Sequence, residues 1–151
     1  MIEMILFTSI LRPDYTEELE RLLFFNQNQD KVQSDLPLLI QRYGMAHIKV
    51  TGDCLRVLLD SSPQPQTLYA LARSDGFERL VGVTVYLREG DTLSLVIAAV
   101  CEDYAGTRTN GEEPLVRKMV GVLRDVARRV KGINSVTLFP GTLREKQVLV
   151  G

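Results

Sequence analysis

Apolar residues follow two different spacings in the last third of the chain. Residues 92–100 (TLSLVIAAV) form a nearly continuous apolar run that contains β-branched members and is short for a helix, which predicts a buried strand. Apolar side chains then recur at helical spacing between Pro114 and Gly132, residues suited to begin and to end a helix. These side chains are Leu115, Met119, Val122, Val126 and Val130. The pattern predicts a helix over residues 114–131, followed by a strand over residues 133–139.

A strand, a helix and a strand in this order form a crossover unit. The two strands of such a unit lie parallel in one sheet, and the connection is right-handed. The polar turn that leads into the helix therefore lies beside the carboxyl end of the first strand. Helix N-termini at such places bind anions, because their first N–H groups are unpaired and the helix dipole is positive there. Any functional site is expected around residues 100–114.

Three strands precede this helix. Residues 67–73, 80–88 and 92–100 alternate with the short turns Asp75-Gly76 and Glu89-Gly90-Asp91, which predicts an antiparallel meander. The third strand of the meander is also the first strand of the crossover unit. The pattern thus predicts one mixed sheet.

The N-terminal half adds one strand, two helices and a hairpin. Residues 2–7 read as an opening strand. Asp14 or Thr16 caps a helix that ends near residues 26–28, with an apolar face of Leu19, Leu22, Leu23 and Phe25. A second helix over residues 34–44 buries Leu36, Leu39, Ile40 and Tyr43 and stops at Gly44. The last pair of strands, residues 47–50 and 55–59, flanks a glycine-containing turn.

Composition narrows the class of protein. A chain of 151 residues that is 45% hydrophobic is expected to form one domain, residues 1–151. A net charge of −1 disfavours nucleic acid and anionic membranes as partners. No apolar run approaches the roughly 20 residues that span a bilayer, and the N-terminus has no signal-peptide pattern, so we expect a cytoplasmic protein. Two distant cysteines and a single histidine predict no disulfide framework and no metal site.

The order of elements resembles the GNAT superfamily of acyl-CoA-dependent N-acyltransferases. In that family the fourth strand commonly ends in a pattern like V-x-P-x-Y-R-G-x-G-x-G, and this chain has VCEDYAG at residues 100–106. LVGV at residues 80–83 is similar to the family's habitual strand opening. The resemblance covers about two thirds of the chain. It implies an α+β fold with a GNAT-like mixed sheet flanked by helices, namely an antiparallel meander plus a parallel strand-helix-strand unit.

The resemblance also implies a cofactor site for acetyl-CoA or another acyl-CoA as co-substrate. The backbone of Val100 would bind the pantetheine arm, and the following turn would hold the pyrophosphate. RTNG at residues 108–111 satisfies the family's Q/R-x-x-G. The residues implied in the turn are Gly106, Thr107, Arg108, Thr109, Asn110 and Gly111. The alternative is that the turn is an ordinary polar connection, in which Glu112 and Glu113 complement the helix dipole.

Two carboxylates follow the strand and are the candidate general bases. Glu102 or Asp103 would take a proton from an ammonium acceptor, directly or through water. Side chains alternate along a strand, so only one of them would face the cleft, and a solvated edge position is the alternative for each. Cys101 has no histidine nearby in the sequence and is expected to be a buried apolar residue rather than a nucleophile.

The C-terminus is short for the resembled family. No tyrosine follows Tyr104 to protonate the leaving thiolate, and residues 143–150 form one strand at most. Two functions therefore remain open: an acyl-CoA-dependent N-acyltransferase that acetylates a small-molecule or peptide amine, and a non-catalytic GNAT-like binding or regulatory module. In either case the last strand leaves an edge with free backbone groups, which predicts a homodimer.

Overall fold

A six-stranded mixed sheet lies at the centre of the structure, a computed structural model that describes residues 3–24, 41–60, 65–104, 114–138 and 147–149. Its strand order is β1-β4-β5-β6-β7-β8, and strands β2 and β3 form a separate hairpin. The strands are β1 (Met4–Thr8), β2 (Ala46–Thr51), β3 (Cys54–Leu59), β4 (Gln66–Ser74), β5 (Phe77–Glu89), β6 (Thr92–Val100), β7 (Ser135–Leu138) and β8 (Gln147–Leu149). The described helices with full bounds are α1 (Thr16–Phe24) and α2 (Leu115–Arg129).

The predicted antiparallel meander is confirmed. Strands β4, β5 and β6 pair antiparallel in sequence order, and β1 pairs antiparallel with the outer side of β4. Asp75 and Gly76 join β4 to β5 with φ values of 43° and 81°. Two successive residues with positive φ suit the twist of a tight hairpin. Because the hairpin is tight, β5 begins at Phe77, three residues before the start predicted from its apolar run.

The crossover is parallel, as predicted. Strand β7 pairs parallel with β6 after α2, and β8 then pairs antiparallel with β7. The Asn134 backbone N–H donates to the Asp91 carbonyl at 2.7 Å, and the Asn134 side chain donates to the Asp91 carboxylate at 3.1 Å. These bonds attach the start of β7 to the turn before β6. The α+β mixed sheet predicted from the sequence is therefore the observed architecture.

Each face of the sheet packs against different elements. One face packs against α1, through Leu19, Leu22 and Leu23, and against the β2–β3 hairpin, through Leu55, Val57 and Leu59. The opposite face packs against α2. The molecule thus has two apolar layers, each formed by alternate residues of the same strands.

The buried face of α2 differs from the predicted one. Its buried residues are Leu115, Met119, Leu123 and Ala127, a single row at four-residue spacing. Val122 and Val126 are half-buried at its side, and Val130 lies beyond the end of the helix with extended backbone. These four residues are the buried ones because a helix that packs on a sheet contacts it through an i, i+4 ridge rather than through a broad stripe.

Some predictions lie outside the described residues. The predicted second helix is described only at residues 41–43, which are helical and precede Gly44, a residue with a φ of +84°. The predicted cofactor turn, residues 106–111, also lies outside them. In the described parts of the chain, no helix has both the length and the apolar character needed to cross a bilayer.

Candidate functional site

All four described residues of β7 pair with β6. Residues Thr92–Leu95 of β6 are in register with Ser135–Leu138 of β7. Strand β6 continues for five more residues, to Val100. This second half of β6 leads to the turn at Glu102–Tyr104.

A β-bulge lies where this pairing ends. Val85 of β5 pairs with Ile97 and Tyr86 pairs with Leu95, so Val96 is an extra residue on β6. Val96 and Ile97 both point into the layer that contains α1, which is the signature of the bulge in the side-chain pattern. A bulge bends its strand and increases its twist. The bend thus lies directly after the described pairing with β7.

The start of α2 packs against the end of β6. Val100, the last residue of β6, is buried and pairs with Gly82 of β5. A β-carbon added to Gly82 would lie 3.0 Å from the Met119 sulfur and 3.2 Å from Leu115 Cδ2, so the absent side chain lets the first turns of the helix approach the sheet. Val100 therefore lies at the carboxyl end of its strand, beneath the N-terminal half of α2.

Two cationic side chains lie in the first turns of α2, and Glu112 and Glu113 precede Pro114 in the sequence. Pro114 at the N-cap offers no side-chain cap, and no acidic residue lies in the first turn. Arg117 and Lys118 occupy the third and fourth helical positions and have no acidic partner among the described residues. Cations here oppose the helix dipole, which costs some helix stability and favours a bound anion. Sequence reasoning missed both residues, and their unfavourable position in the first turn is the signal that would have indicated them.

The two candidate bases share one turn but have different environments. Glu102 and Asp103 lie in the 3-10 turn Glu102–Tyr104 after β6, and both are exposed. Strand alternation therefore does not choose between them, because both lie past the strand end. Asp103 forms an ion pair with Arg79 at 2.5 Å, whereas Glu102 has no hydrogen bond or ion pair within the described part of the chain. The two carboxylates therefore differ in their contacts with the rest of the described structure.

Arg79 organises the surroundings of Asp103. Its guanidinium also lies 3.7 Å from the Glu3 carboxylate and 5.4 Å from the centre of the Tyr104 ring. The hydrogen bond to Asp103 raises the pKa of Arg79 above its ordinary value. Tyr104 is buried, and its hydroxyl donates to Glu3. This cluster ties the turn after β6 to the start of β5 and to Glu3, just before β1.

Cys101 is a structural residue in this arrangement. Its thiol donates to the Leu80 carbonyl at 3.5 Å and packs against the apolar layers. Burial, and then the Asp103 carboxylate, raise the pKa of Cys101. A thiol with a raised pKa is protonated at neutral pH and is a poor nucleophile. This agrees with the packing role expected from the sequence.

His47 and the acidic residues form no metal centre among the described residues. No three histidine, cysteine, aspartate or glutamate side chains lie together there. His47 is exposed on β2 and contacts the Asp60 carboxylate at 2.5 Å. The exposed position is the one that the strand alternation predicts.

Comparison with known proteins was made at the level of families, curated proteins and solved structures. No family model matches the chain, and no curated protein matches it. Among solved structures, the crystal structure of nourseothricin acetyltransferase is similar at 18% sequence identity with a TM-score of 0.46, covering 89% of this chain and 72% of that chain. A similarity of this size establishes neither a shared activity nor a shared site.

Proposed function

We propose that the protein is an acyl-CoA-dependent N-acyltransferase. The observation that carries the proposal is the position of Val100, at the carboxyl end of β6 after a bulge and beneath the start of α2, where Arg117 and Lys118 lie. An acyl-CoA has amide groups along its pantetheine arm and phosphates at one end. Main-chain groups near a bulged strand end suit the amides, and a helix N-terminus suits the phosphates.

The proposal assigns a role to the end of β6, to the start of α2 and to Glu102. Residues 96–100 of β6 bind the pantetheine arm through their backbone, and Arg117 and Lys118 attract the phosphates together with the turn at residues 106–111. The acceptor amine attacks the thioester carbonyl, a C–N bond forms, the C–S bond breaks, and the thiolate leaves as CoA. Glu102 takes the proton that the attacking nitrogen loses. The co-substrate is acetyl-CoA or a related acyl-CoA, and the acceptor is a small-molecule or peptide amine.

A second candidate is a non-catalytic binding or regulatory module with the same fold. The observation in its favour is the bonding of Tyr104 and Asp103, since Tyr104 is buried against Glu3 and Asp103 is paired with Arg79. Near the end of β6 in the described structure, no tyrosine is left to protonate a departing thiolate. Such a module would bind acyl-CoA, or a protein partner, without turnover.

Calorimetric titration with acetyl-CoA separates the proposals from one another. The acyltransferase predicts saturable binding together with release of CoA when amines are added, measured by chromatography so that Cys54 and Cys101 do not contribute a thiol signal. Binding without CoA release from any amine in a broad panel supports the module. Absence of binding at millimolar acetyl-CoA would contradict acyl-CoA binding at the end of β6, with or without turnover.

Charge at the helix start gives a sharper test of the binding site. Arg117→Gln should weaken acetyl-CoA binding about fivefold, the loss expected for one exposed charge contact. Arg129→Gln is the matched control, because Arg129 is an exposed arginine in the last turn of the same helix. Equal affinities for the two variants would place the phosphates away from the start of α2.

A further inference from the structure

A cavity lies beside the start of β4, away from the end of β6. Its lining comes from residues 55–57 of β3, residues 65–67 and Tyr69 at the start of β4, Ser9 after β1, and Tyr86 of β5. Its volume of about 340 Å³ corresponds to roughly ten water molecules, or to a ligand with about that many non-hydrogen atoms. The cavity shares no lining residue with the proposed acyl-CoA site, and binding there does not depend on the proposed activity.

The walls of the cavity come from both faces of the sheet. Tyr69 belongs to the apolar layer that contains α1, and Tyr86 belongs to the layer that contains α2. Pro65, which precedes β4, is also buried. A molecule in the cavity would therefore contact two tyrosines and a proline, which are apolar surfaces that suit a flat ring.

Tyr86 brings a hydrogen-bond donor to this lining. The residue is 6% exposed, and its hydroxyl has no hydrogen bond to another described residue. Thr84, two residues earlier on the same strand, has a hydroxyl that is both unpartnered and fully buried, whereas the Tyr86 hydroxyl is not fully buried. Burial raises the pKa of Tyr86, so the phenol keeps its proton at neutral pH. A bound molecule can accept a hydrogen bond from it.

Arg56 gives the cavity its charge. It is exposed, it is the only charged residue of the lining, and it has no acidic partner in the described parts of the chain. Burial raises the pKa of Tyr69, and the Thr67 hydroxyl and the Arg56 guanidinium oppose that rise, which places both groups near the Tyr69 hydroxyl. Lys49 lies directly opposite Arg56 in the hairpin and adds a second positive charge. An anion is therefore the favoured occupant.

We propose that the cavity binds a small aromatic carboxylate, whose ring lies against Tyr69 and Tyr86 and whose carboxylate accepts hydrogen bonds from Arg56 and from the Tyr86 hydroxyl. Apolar walls with a few convergent polar groups are typical of small-molecule sites. Benzoate fits the volume, because its roughly nine non-hydrogen atoms fall within the number that the cavity holds.

The test is a titration of the full-length ¹⁵N-labelled chain with benzoate. Amide resonances of Arg56, Thr67 and Tyr86 should shift saturably at millimolar benzoate. Benzamide has the same shape without the charge, and acetate has the charge without the ring, so each should bind at least about tenfold more weakly. Acetate binding as tightly as benzoate would show an adventitious ion only. Equal affinity for benzamide, or absence of shifts at millimolar benzoate, would also overturn the proposal.

Removal of the Tyr86 hydroxyl tests the donor. Tyr86→Phe should weaken benzoate binding about tenfold, the loss expected for a hydrogen bond to a charged group. The urea midpoint should stay unchanged, because this hydroxyl has no partner among the described residues. Tyr43→Phe is the matched control, since Tyr43 does not line the cavity and its hydroxyl donates to Glu89 at 3.2 Å. It should lower the urea midpoint and leave benzoate binding unchanged. Equal benzoate affinities for the two variants would contradict the site.

Removal of the charge tests the second contact. Arg56→Gln should weaken benzoate binding about fivefold, the loss of one exposed charge contact, and change benzamide binding by less than about twofold. Arg129→Gln, an exposed arginine outside the cavity, should leave both affinities unchanged. A loss of benzoate affinity in Arg129→Gln as large as in Arg56→Gln would place the carboxylate elsewhere and overturn the proposal.

Discussion

Glu102 and Asp103 are neighbours of the same charge in one turn, but their side-chain contacts differ. Asp103 is held by Arg79 at 2.5 Å, so its carboxylate already has a hydrogen-bond partner within the protein. The assignment of the base to Glu102 rests on the contacts of its neighbour. Sequence reasoning selected the pair and had no means of choosing within it.

Glu102→Gln should lower the turnover number about a hundredfold, the lower end of what a general base contributes, and leave the affinity for acetyl-CoA unchanged. Steady-state kinetics with an accepted amine and calorimetric titration measure the two effects. Glu20→Gln is the matched control, because Glu20 is an exposed glutamate of α1 on the described surface. Equal turnover numbers for the two variants would assign the base to another residue.

Glu78 is the best-bonded carboxylate in the described structure. It accepts from the Tyr15 hydroxyl at 2.7 Å and from two nitrogens of Arg73 at 3.0 Å and 2.6 Å. The Tyr15 hydrogen bond, and then the bonds from Arg73, lower the pKa of Glu78 below its ordinary value. Glu78 thus links β5 to β4 and to the turn before α1.

This network makes stability depend on pH. Because the folded pKa of Glu78 is lowered, the stabilisation is fully present above the unfolded pKa and is lost as pH falls through the folded one. Glu78→Gln should lower the free energy of unfolding by about 1–2 kcal/mol at pH 7. The difference from the wild type should shrink below about pH 4, near the ordinary glutamate pKa. Urea denaturation between pH 7 and pH 3 measures both, and a difference that stays constant to pH 3 would contradict this role.

At the scale of elements, two glycines occupy different kinds of position, one in a turn and one inside a helix. Gly44 follows the helical residues 41–43 with a φ of +84°, and a β-carbon there would collide with Asp60 at the end of β3. Gly121 lies inside α2, and a β-carbon there would meet nothing within 4 Å. The same substitution at these two positions should therefore have opposite effects.

Gly44→Ala should lower the free energy of unfolding by about 1–3 kcal/mol, from left-handed strain and the contact with Asp60. Gly121→Ala should raise it by about 0.5–1 kcal/mol, because alanine restricts the unfolded chain and suits a helix. Chemical denaturation of both variants in one buffer decides the pair. A stabilising Gly44→Ala would mean that this turn differs from the one described.

The strand elements follow the sequence closely because apolar alternation and turn residues are local signals. The meander, the crossover helix and the opening strand were all predicted within a few residues. The bulge at Val96 was not, since the apolar run over residues 92–100 reads the same with or without an extra residue. Its position depends on the register with β5, which is a property of two strands rather than one.

At the scale of the whole molecule, the described sheet ends at β1 on one side and β8 on the other. Both are edge strands with backbone groups that a second copy of the chain can pair with. Met4 and Leu6 of β1 are exposed, as is Phe77, the first residue of β5. Two edges therefore compete as places for the self-association that the sequence predicts.

We expect a two-fold dimer through β8, in which the C-terminal strands of two copies extend each other's sheets. Light scattering at micromolar concentration should give twice the monomer mass of 17.0 kDa. Deletion of residues 146–151 should restore the monomer, whereas Leu6→Glu, the matched change at the other edge, should not. A dimer that survives the deletion and is lost in Leu6→Glu would place the interface at β1, and a monomeric full chain would refute self-association.

The sequence alone determined the order and type of the elements, the mixed sheet and the region of the candidate site, because periodicity and turn chemistry are encoded over a few residues. Only the tertiary structure decided which contacts each residue makes. It paired Asp103 with Arg79 and placed Arg117 and Lys118 in the first turns of a helix that has no side-chain cap at Pro114. These facts join residues far apart in the chain, and pairwise distances across a fold do not appear in any local pattern.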